Sequence, residues 1–312
     1  MARHCGRRLL IGGLLLAAAG LPACAPAARP LPARPVAVAT APPAASSPRP
    51  APGTSPGTLT SGGEPRRYRL HVPPNTAPGA PLPLVVNLHG YNSDAAQQEA
   101  LSRMSAQADA AGFVAVYPEG RGDPARWAFG SGAEAATDVQ FIRDLVRQIE
   151  DRLPIDPRRV YVTGVSNGAE LGYRLMCDAA DTFAAAALVA GGYPPFRDCR
   201  PARPVPVVAF HGTADRLLPY EGQPPALLPV HEWAAGWAAR NGCAPAPAVT
   251  LQRGEVTGET WGGCREGAGV VLYTIAGKGH SWPGSAMPAA ITTRDVDATD
   301  VIWAFFAAHP RP

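Results

Sequence analysis

Gly164-Val165-Ser166-Asn167-Gly168 sets a serine between two glycines, a Gly-x-Ser-x-Gly run that suits a hydroxyl nucleophile carried on a sharp turn. The pattern alone is weak, because Gly53-Thr54-Ser55-Pro56-Gly57 matches it as well. Context separates the two. The first follows the apolar run Val160-Tyr161-Val162-Thr163 and opens a helical stretch over 167–177, giving strand, tight turn and helix in the order such an elbow needs. The second lies in a Pro-rich stretch with neither, and reads as a decoy. At Ser166 the flanking glycines leave room for the turn, and the helix start brings its positive dipole end near a developing oxyanion. Ser166 is the expected nucleophile of an acyl transfer through a covalent intermediate.

A serine hydroxyl attacks only when a base takes its proton and an acid holds that base. Of seven histidines, His280 sits in Gly277-Lys278-Gly279-His280-Ser281-Trp282-Pro283-Gly284, a loop just past the apolar run 270–275. A base delivered on a loop after a late strand fits the chain order Ser, Asp or Glu, His. His89 and His211 end strands ahead of glycines and read as loop-shaping residues; His4, His71, His231 and His309 lie in the leader, before the core strands, at a helix start and near the tail. The same order confines the acid to residues 167–279. Asp215, in His211-Gly212-Thr213-Ala214-Asp215 after the run 205–210, is favoured over Asp178, Asp181 and Asp198. The oxyanion would be held by the backbone N–H of Asn167, after the nucleophile, and by that of Tyr91 in Leu88-His89-Gly90-Tyr91-Asn92. Trp282 and Trp127, both in loops after strands, are expected to line a substrate pocket, whereas Trp233, Trp237 and Trp303 have helical spacing and read as packing.

These groups need a scaffold, and the pattern supplies one. Apolar runs at 84–89, 113–117, 160–163, 185–190, 205–210 and 269–275 alternate with amphipathic stretches at 94–111, 137–152, 167–177, 230–241 and 297–308. Continuous apolar strands separated by helices predict an α/β fold, a mostly parallel sheet with helices on both faces. Thr137 with Gln140 reads as a capping box opening one helix, and Asp297 with Asp300 as a weaker form of the same signal.

Arg3, Arg7 and Arg8 precede an apolar run from Leu9 to Gly20, the layout of a signal peptide over residues 1–23, too short to span a bilayer. Leu21-Pro22-Ala23-Cys24 is similar to a bacterial lipobox with Cys24 lipidated, and Ala23-Cys24-Ala25 also fits an ordinary cleavage site. Eleven of the 36 prolines fall in residues 22–58, so residues 24–64 read as a disordered tether and 65–312 as one catalytic domain. From residue 65 onward there are 22 Lys and Arg against 24 Asp and Glu, and the only Lys is Lys278. That balance argues against a nucleic-acid partner. No His- or Cys-rich spacing suggests a metal, and no cofactor is expected. Cys5 leaves with the leader and Cys24 is lipidated or removed, so Cys177, Cys199, Cys243 and Cys264 remain. In an oxidising compartment these pair; of three connectivities the local ones, Cys177–Cys199 and Cys243–Cys264, are favoured.

Leu88-His89-Gly90-Tyr91, Gly164-Val165-Ser166-Asn167-Gly168, His211-Gly212-Thr213-Ala214-Asp215 with Pro219-Tyr220, Asn241-Gly242-Cys243 and Gly279-His280-Ser281-Trp282-Pro283-Gly284 together resemble the secreted esterases that include polyhydroxybutyrate depolymerases and family 1 carbohydrate esterases such as feruloyl esterases. The resemblance runs from about residue 65 to 308. It implies an α/β-hydrolase fold and a triad on Ser166, Asp215 and His280. The function expected is a secreted or lipid-anchored serine carboxylic-ester hydrolase whose partner is an ester substrate. Two rivals stand beside it: a cell-envelope acyltransferase using the same triad, and a non-catalytic ligand-binding lipoprotein.

Overall fold

In the computed structural model, residues 50–312 are described apart from Asn75 and Pro78. The signal peptide, Cys5, Cys24 and most of the expected tether lie outside the described residues. Ten strands form one sheet: β1 (Gly53–Ser61), β2 (Glu64–Val72), β3 (Leu82–Leu88), β4 (Val114–Pro118), β5 (Ile155–Val165), β6 (Ala186–Val189), β7 (Val207–Gly212), β8 (Ala248–Arg253), β9 (Val256–Trp261) and β10 (Val270–Ile275). Their order is β1-β2-β4-β3-β5-β6-β7-β10-β9-β8. The six strands from β4 to β10 run parallel, and an antiparallel hairpin closes each side, β1 with β2 and β9 with β8.

The expected parallel sheet is present, and the alternation of its side chains explains why helices cover both faces. Leu84, Val86, Val114, Val116, Val160 and Val162 point into one core with Phe141, Leu145, Leu171, Trp233 and Trp237. Val85, Ala115, Tyr117 and Tyr161, the odd members of the same strands, point into the other with Met104, Ala108, Ile302 and Phe306. The first core is closed by α3 (Ala133–Glu150), α4 (Asn167–Asp178) and α5 (Val230–Asn241), the second by α1 (Ala95–Ser102), α2 (Met104–Ala111) and α6 (Ala298–Ala308). Disulfides join Cys177 to Cys199 and Cys243 to Cys264, the two local pairings.

Three expectations need correction. The folded domain begins before residue 65: Gly53–Ser61 is a strand, paired along its whole length with β2. Pro56 is compatible with it because β1 lies at the edge of the sheet, where a missing N–H breaks no central ladder. The stretch 94–111 is two helices, broken where Arg103 takes φ 53° and its guanidinium reaches the carbonyl of Gly284 and the carboxylate of Asp297. Thr137 caps nothing: α3 starts at Ala133, and the Thr137 hydroxyl donates back to the Ala133 carbonyl within the helix. The hairpins β1–β2 and β8–β9 were not anticipated. By contrast, Asp297 does cap α6, accepting from the Thr299 N–H at 2.9 Å.

The chain ends of the domain share one edge of the sheet. Gly53 pairs with Val72 on the side where β4 begins, and the Arg311 N–H donates to the Arg158 carbonyl at 2.8 Å, near the start of β5. Across the sheet, β2 is tied to α3 by a buried ion pair, Arg66 Nη1 to Asp138 Oδ1 at 3.0 Å with both side chains at 4% exposure or less. Arg66 also donates to the Glu119 carbonyl at 3.1 Å and lies 3.7 Å over the Phe141 ring. Without Arg66 the buried Asp138 loses its closest partner and keeps only Arg121 Nε at 3.5 Å and the Ala128 N–H at 2.9 Å. Arg66→Ala is expected to lower unfolding free energy by about 3 kcal/mol in urea titrations; a loss under about 1 kcal/mol, typical of exposed pairs, would contradict this account.

Candidate active site

Parallel strands bring every predicted catalytic residue to one edge. Tyr91 follows β3, Ser166 follows β5, Asp215 follows β7 and His280 follows β10, each just past the carboxyl end of its strand. Ser166 joins β5 to α4 with φ 55° and ψ −124°, a left-handed conformation that a β-carbon makes costly, about 1–3 kcal/mol. Its N–H donates to the Val189 carbonyl at 2.9 Å, and its carbonyl accepts from Glu170 N–H at 3.0 Å, which holds the turn from both sides. The two glycines are needed for close approach. A Cβ on Gly168 would stand 2.4 Å from the Leu88 carbonyl oxygen, and one on Gly164 would stand 2.7 Å from the backbone of Gly168.

His280 Nδ1 lies 2.7 Å from Asp215 Oδ2, so the ring donates from Nδ1 and leaves Nε2 as its basic atom. Asp215 Oδ1 accepts from the N–H groups of Leu217 and Leu218 at 2.9 and 3.0 Å. Burial pushes the Asp215 carboxyl up, but the His280 hydrogen bond and charge and the Leu218 amide outweigh it and hold it below the ordinary aspartate value. His211, also buried, donates from Nε2 to the Leu218 carbonyl at 2.7 Å and is kept neutral by desolvation. It shapes the turn that presents Asp215. Among the described residues, no hydrogen bond joins His280 to Ser166; contacts of this type are often loose until substrate is bound.

The loop after β3 reaches the elbow directly: a Cβ on Gly90 would lie 3.4 Å from Ser166 Cβ. His89 fixes this loop. It accepts from the Gly120 N–H at Nε2 (2.9 Å), so Nδ1–H donates to the Gly90 carbonyl (2.7 Å), and burial keeps the ring neutral. Asn92 N–H donates to the Ala125 carbonyl at 2.8 Å, while the N–H groups of Tyr91 and Asn167 have no backbone acceptor among the described residues. They remain available to a ligand oxygen.

Trp127 and Trp282 do not line a pocket; this expectation is overturned by burial. Trp127 is 1% exposed and donates from Nε1 to the His89 carbonyl; Trp282 is 0% exposed and donates to Thr299 Oγ1. Each satisfies its one polar atom internally, as a buried indole must. Trp127 instead clamps the site, because the Asn167 side chain accepts from its N–H (2.7 Å) and donates to its carbonyl (3.1 Å). The exposed apolar side chains around the edge are others: Tyr91, Leu217, whose N–H binds Asp215, and Ile291, whose carbonyl accepts from the Gly279 N–H beside His280. A cleft of about 780 Å³ lies on the far side of the 119–128 loop, walled by Arg66, Arg121, Glu64 and Asp138, and none of the catalytic candidates borders it.

The family model described as "Esterase PHB depolymerase" matches residues 66–196. "Putative esterase NocK" of Nocardia uniformis subsp. tsuyamanensis is 31% identical over 92% of this chain and 92% of its own length. The chain belongs to the esterase PHB depolymerase family. Feruloyl esterase B of Piromyces equi is 31% identical over 64% of this chain, which spans 39% of that longer protein. The fold of this esterase is that of the α/β-hydrolases: an acetyl xylan esterase from Aspergillus awamori superposes with a TM-score of 0.61 over 81% of this chain and 99% of its own, at 17% identity.

One residue of the site escaped the sequence reading. Glu170, one turn below Ser166 and 7% exposed, accepts from Asn167 Nδ2 at 3.2 Å. Burial drives its carboxyl up to about 7, against the pull of the Asn167 hydrogen bond and the His280 charge. The folded value lies above the unfolded one, so the contribution to stability is full below about pH 4.5 and is lost as pH rises through about 7. Glu170→Gln, which cannot ionise, is expected to gain on the native protein between pH ~5 and ~8, by on the order of 3 kcal/mol in urea melts. A gap that shrinks with rising pH would contradict this.

Proposed function

We propose that this esterase hydrolyses carboxylic esters through an acyl-enzyme, with Ser166 as nucleophile, His280 as base and Asp215 as the group that orients it. The observation that carries the reading is the His280–Asp215 hydrogen bond, made at the sheet edge where the Ser166 elbow opens. Ser166 Oγ attacks the ester carbonyl and His280 Nε2 takes its proton. The ionised Asp215 stabilises the imidazolium that results. The N–H groups of Tyr91 and Asn167 donate to the oxyanion, helped by the positive end of α4. His280 returns the proton to the leaving alcohol, and water then releases the acid by the same steps in reverse. The polar machinery is held rigid by His89, Trp127 and the Asn167 side chain, so little reorganisation is needed as charge develops.

Feruloyl-type and hydroxyalkanoate-type esters are the substrate classes that the relatives suggest, and Tyr91, Leu217 and Ile291 offer apolar surface to the acyl group. We also propose export. Two disulfides fit an oxidising compartment, and no helix of the described residues is long and apolar enough to cross a membrane. The Arg-flanked leader and the Cys24 lipobox would supply the route and the anchor.

On a panel of p-nitrophenyl esters and methyl ferulate, Ser166→Ala is expected to lose at least about a thousandfold in kcat, and Asp215→Asn a loss of similar order. Ser55→Ala, on the edge strand β1, should leave turnover as it is. Equal losses from Ser55→Ala and Ser166→Ala would sink the assignment of the nucleophile.

A further inference from the structure

Asn167 and Glu170 share one face of α4, but the two carboxylate oxygens of Glu170 have different fates. Oε2 is taken by the Asn167 amide. Oε1 has no hydrogen-bond partner among the described residues, although the residue is more than nine-tenths buried, and it is not sealed from solvent. It faces Gly192 in the loop after β6: a Cβ there would lie 2.6 Å from Oε1, 3.2 Å from Leu218 Cδ2 and 3.3 Å from Leu227 Cδ2. A side chain at 192 would fill this point, and glycine leaves it open. The half-buried leucines 218 and 227 belong to the segment that follows Asp215, so an unpaired acceptor with apolar neighbours stands between the nucleophile elbow and the catalytic-acid loop.

Solvent reaches this carboxyl oxygen, so water satisfies it in the free enzyme, and a ligand replaces that water without loss only if it supplies a donor of its own. Elements packed around it bring two other titratable groups within electrostatic reach, His280 from the loop after β10 and Tyr193 from the loop after β6. Neither supplies a hydrogen bond to Oε1. Burial by apolar neighbours disfavours full ionisation here, which suits an uncharged O–H donor better than an ammonium group.

We propose that Glu170 Oε1 is a specificity determinant that accepts a hydrogen bond from a hydroxyl on the acyl part of the ester, so that the enzyme selects hydroxylated acids over their deoxy counterparts. The proposal rests on the serine-esterase reading above and names the substrate class of that same site. Asn167 holds the carboxyl in place, Leu218 and Leu227 flank the contact, and the ester carbonyl stays with Ser166 and the two backbone N–H groups.

The test compares matched esters on the full chain: p-nitrophenyl 3-hydroxybutyrate against p-nitrophenyl butyrate, and methyl 4-hydroxycinnamate against methyl cinnamate. The native enzyme is expected to favour the hydroxylated member of at least one pair by about tenfold or more in kcat/KM, because a site built for a hydroxyl is left unmatched by its analogue. Glu170→Met should bring that ratio close to one, whatever the absolute rates, while Glu170→Gln, which keeps an acceptor, should retain most of it. Thermal melts of each variant separate misfolding from altered selectivity. Proportional losses on both members of a pair would overturn the proposal and leave Glu170 as a positioning residue for Asn167. A native ratio near one in both pairs, or preference for p-nitrophenyl 3-aminobutyrate, would overturn it too. Absence of Ser166-dependent turnover on any ester is a different failure, that of the esterase reading itself.

Discussion

Everything at the catalytic edge depends on one close backbone contact, the seating of Gly168 against the carbonyl oxygens of Leu88 and His89. It lets α4 begin immediately over the carboxyl end of β3, forces the reversal at Ser166 into a left-handed conformation, and brings the nucleophile beside the loop that carries Tyr91. A helix displaced by the width of one methyl group would carry Ser166 and the Asn167 N–H away from that loop together. The strain at Ser166 is sustained because hydrogen bonds from β6 and from within α4 grip the residue on both sides.

Around this contact the protein spends buried polar groups on rigidity. Neutral His89, the Trp127 indole and the Asn167 amide form a continuous set of hydrogen bonds linking the loop after β3, the 119–128 loop and the first turn of α4. Each of these atoms is paired, as the interior requires. On the other flank His211 and the amides after Asp215 do the same for the acid. The base is more open than its acid partner, 18% against 0% exposed on the side chain, and sits on a loop braced by Ile291 and Thr213. That is where a proton carrier needs some freedom.

The parallel core was legible in the sequence because its strands are buried on both faces and read as unbroken apolar runs, and the elbow because strand, glycines and helix fall in register at 160–177. The order of Ser166, Asp215 and His280 along the chain was equally visible, and the structure pairs the last two. The edge hairpins were not. β1 and β8 each expose a face, so they lack the apolar run, and β1 carries the Pro and Gly content of the stretch before it. A signal was present all the same: Gly62-Gly63 between two alternating segments, both at positive φ, is the two-residue turn of a hairpin. Trp127 and Trp282 show that a loop position does not imply exposure; an indole that finds an internal acceptor is free to sink into the core. Glu170 was invisible because a glutamate in the first turn of a helix ordinarily faces water and favours the dipole. Only the packing of the loops after β6 and β7 buries it.

The shared edge at which both chain ends leave the domain bears on how the enzyme meets its surroundings. Gly53 and Arg311 lie toward the amino ends of the parallel strands, and Ser166 lies at the carboxyl end of β5; through the ladder Gly53 is level with Val160 and Arg311 is bonded at Arg158, so at about 3.3 Å per residue they lie roughly 20 and 26 Å from Ser166 along the strand. A support joined to the domain at Gly53 or Arg311 therefore approaches from beneath. Attached through either of these two points, the domain would turn the end that carries Ser166 away from the attachment.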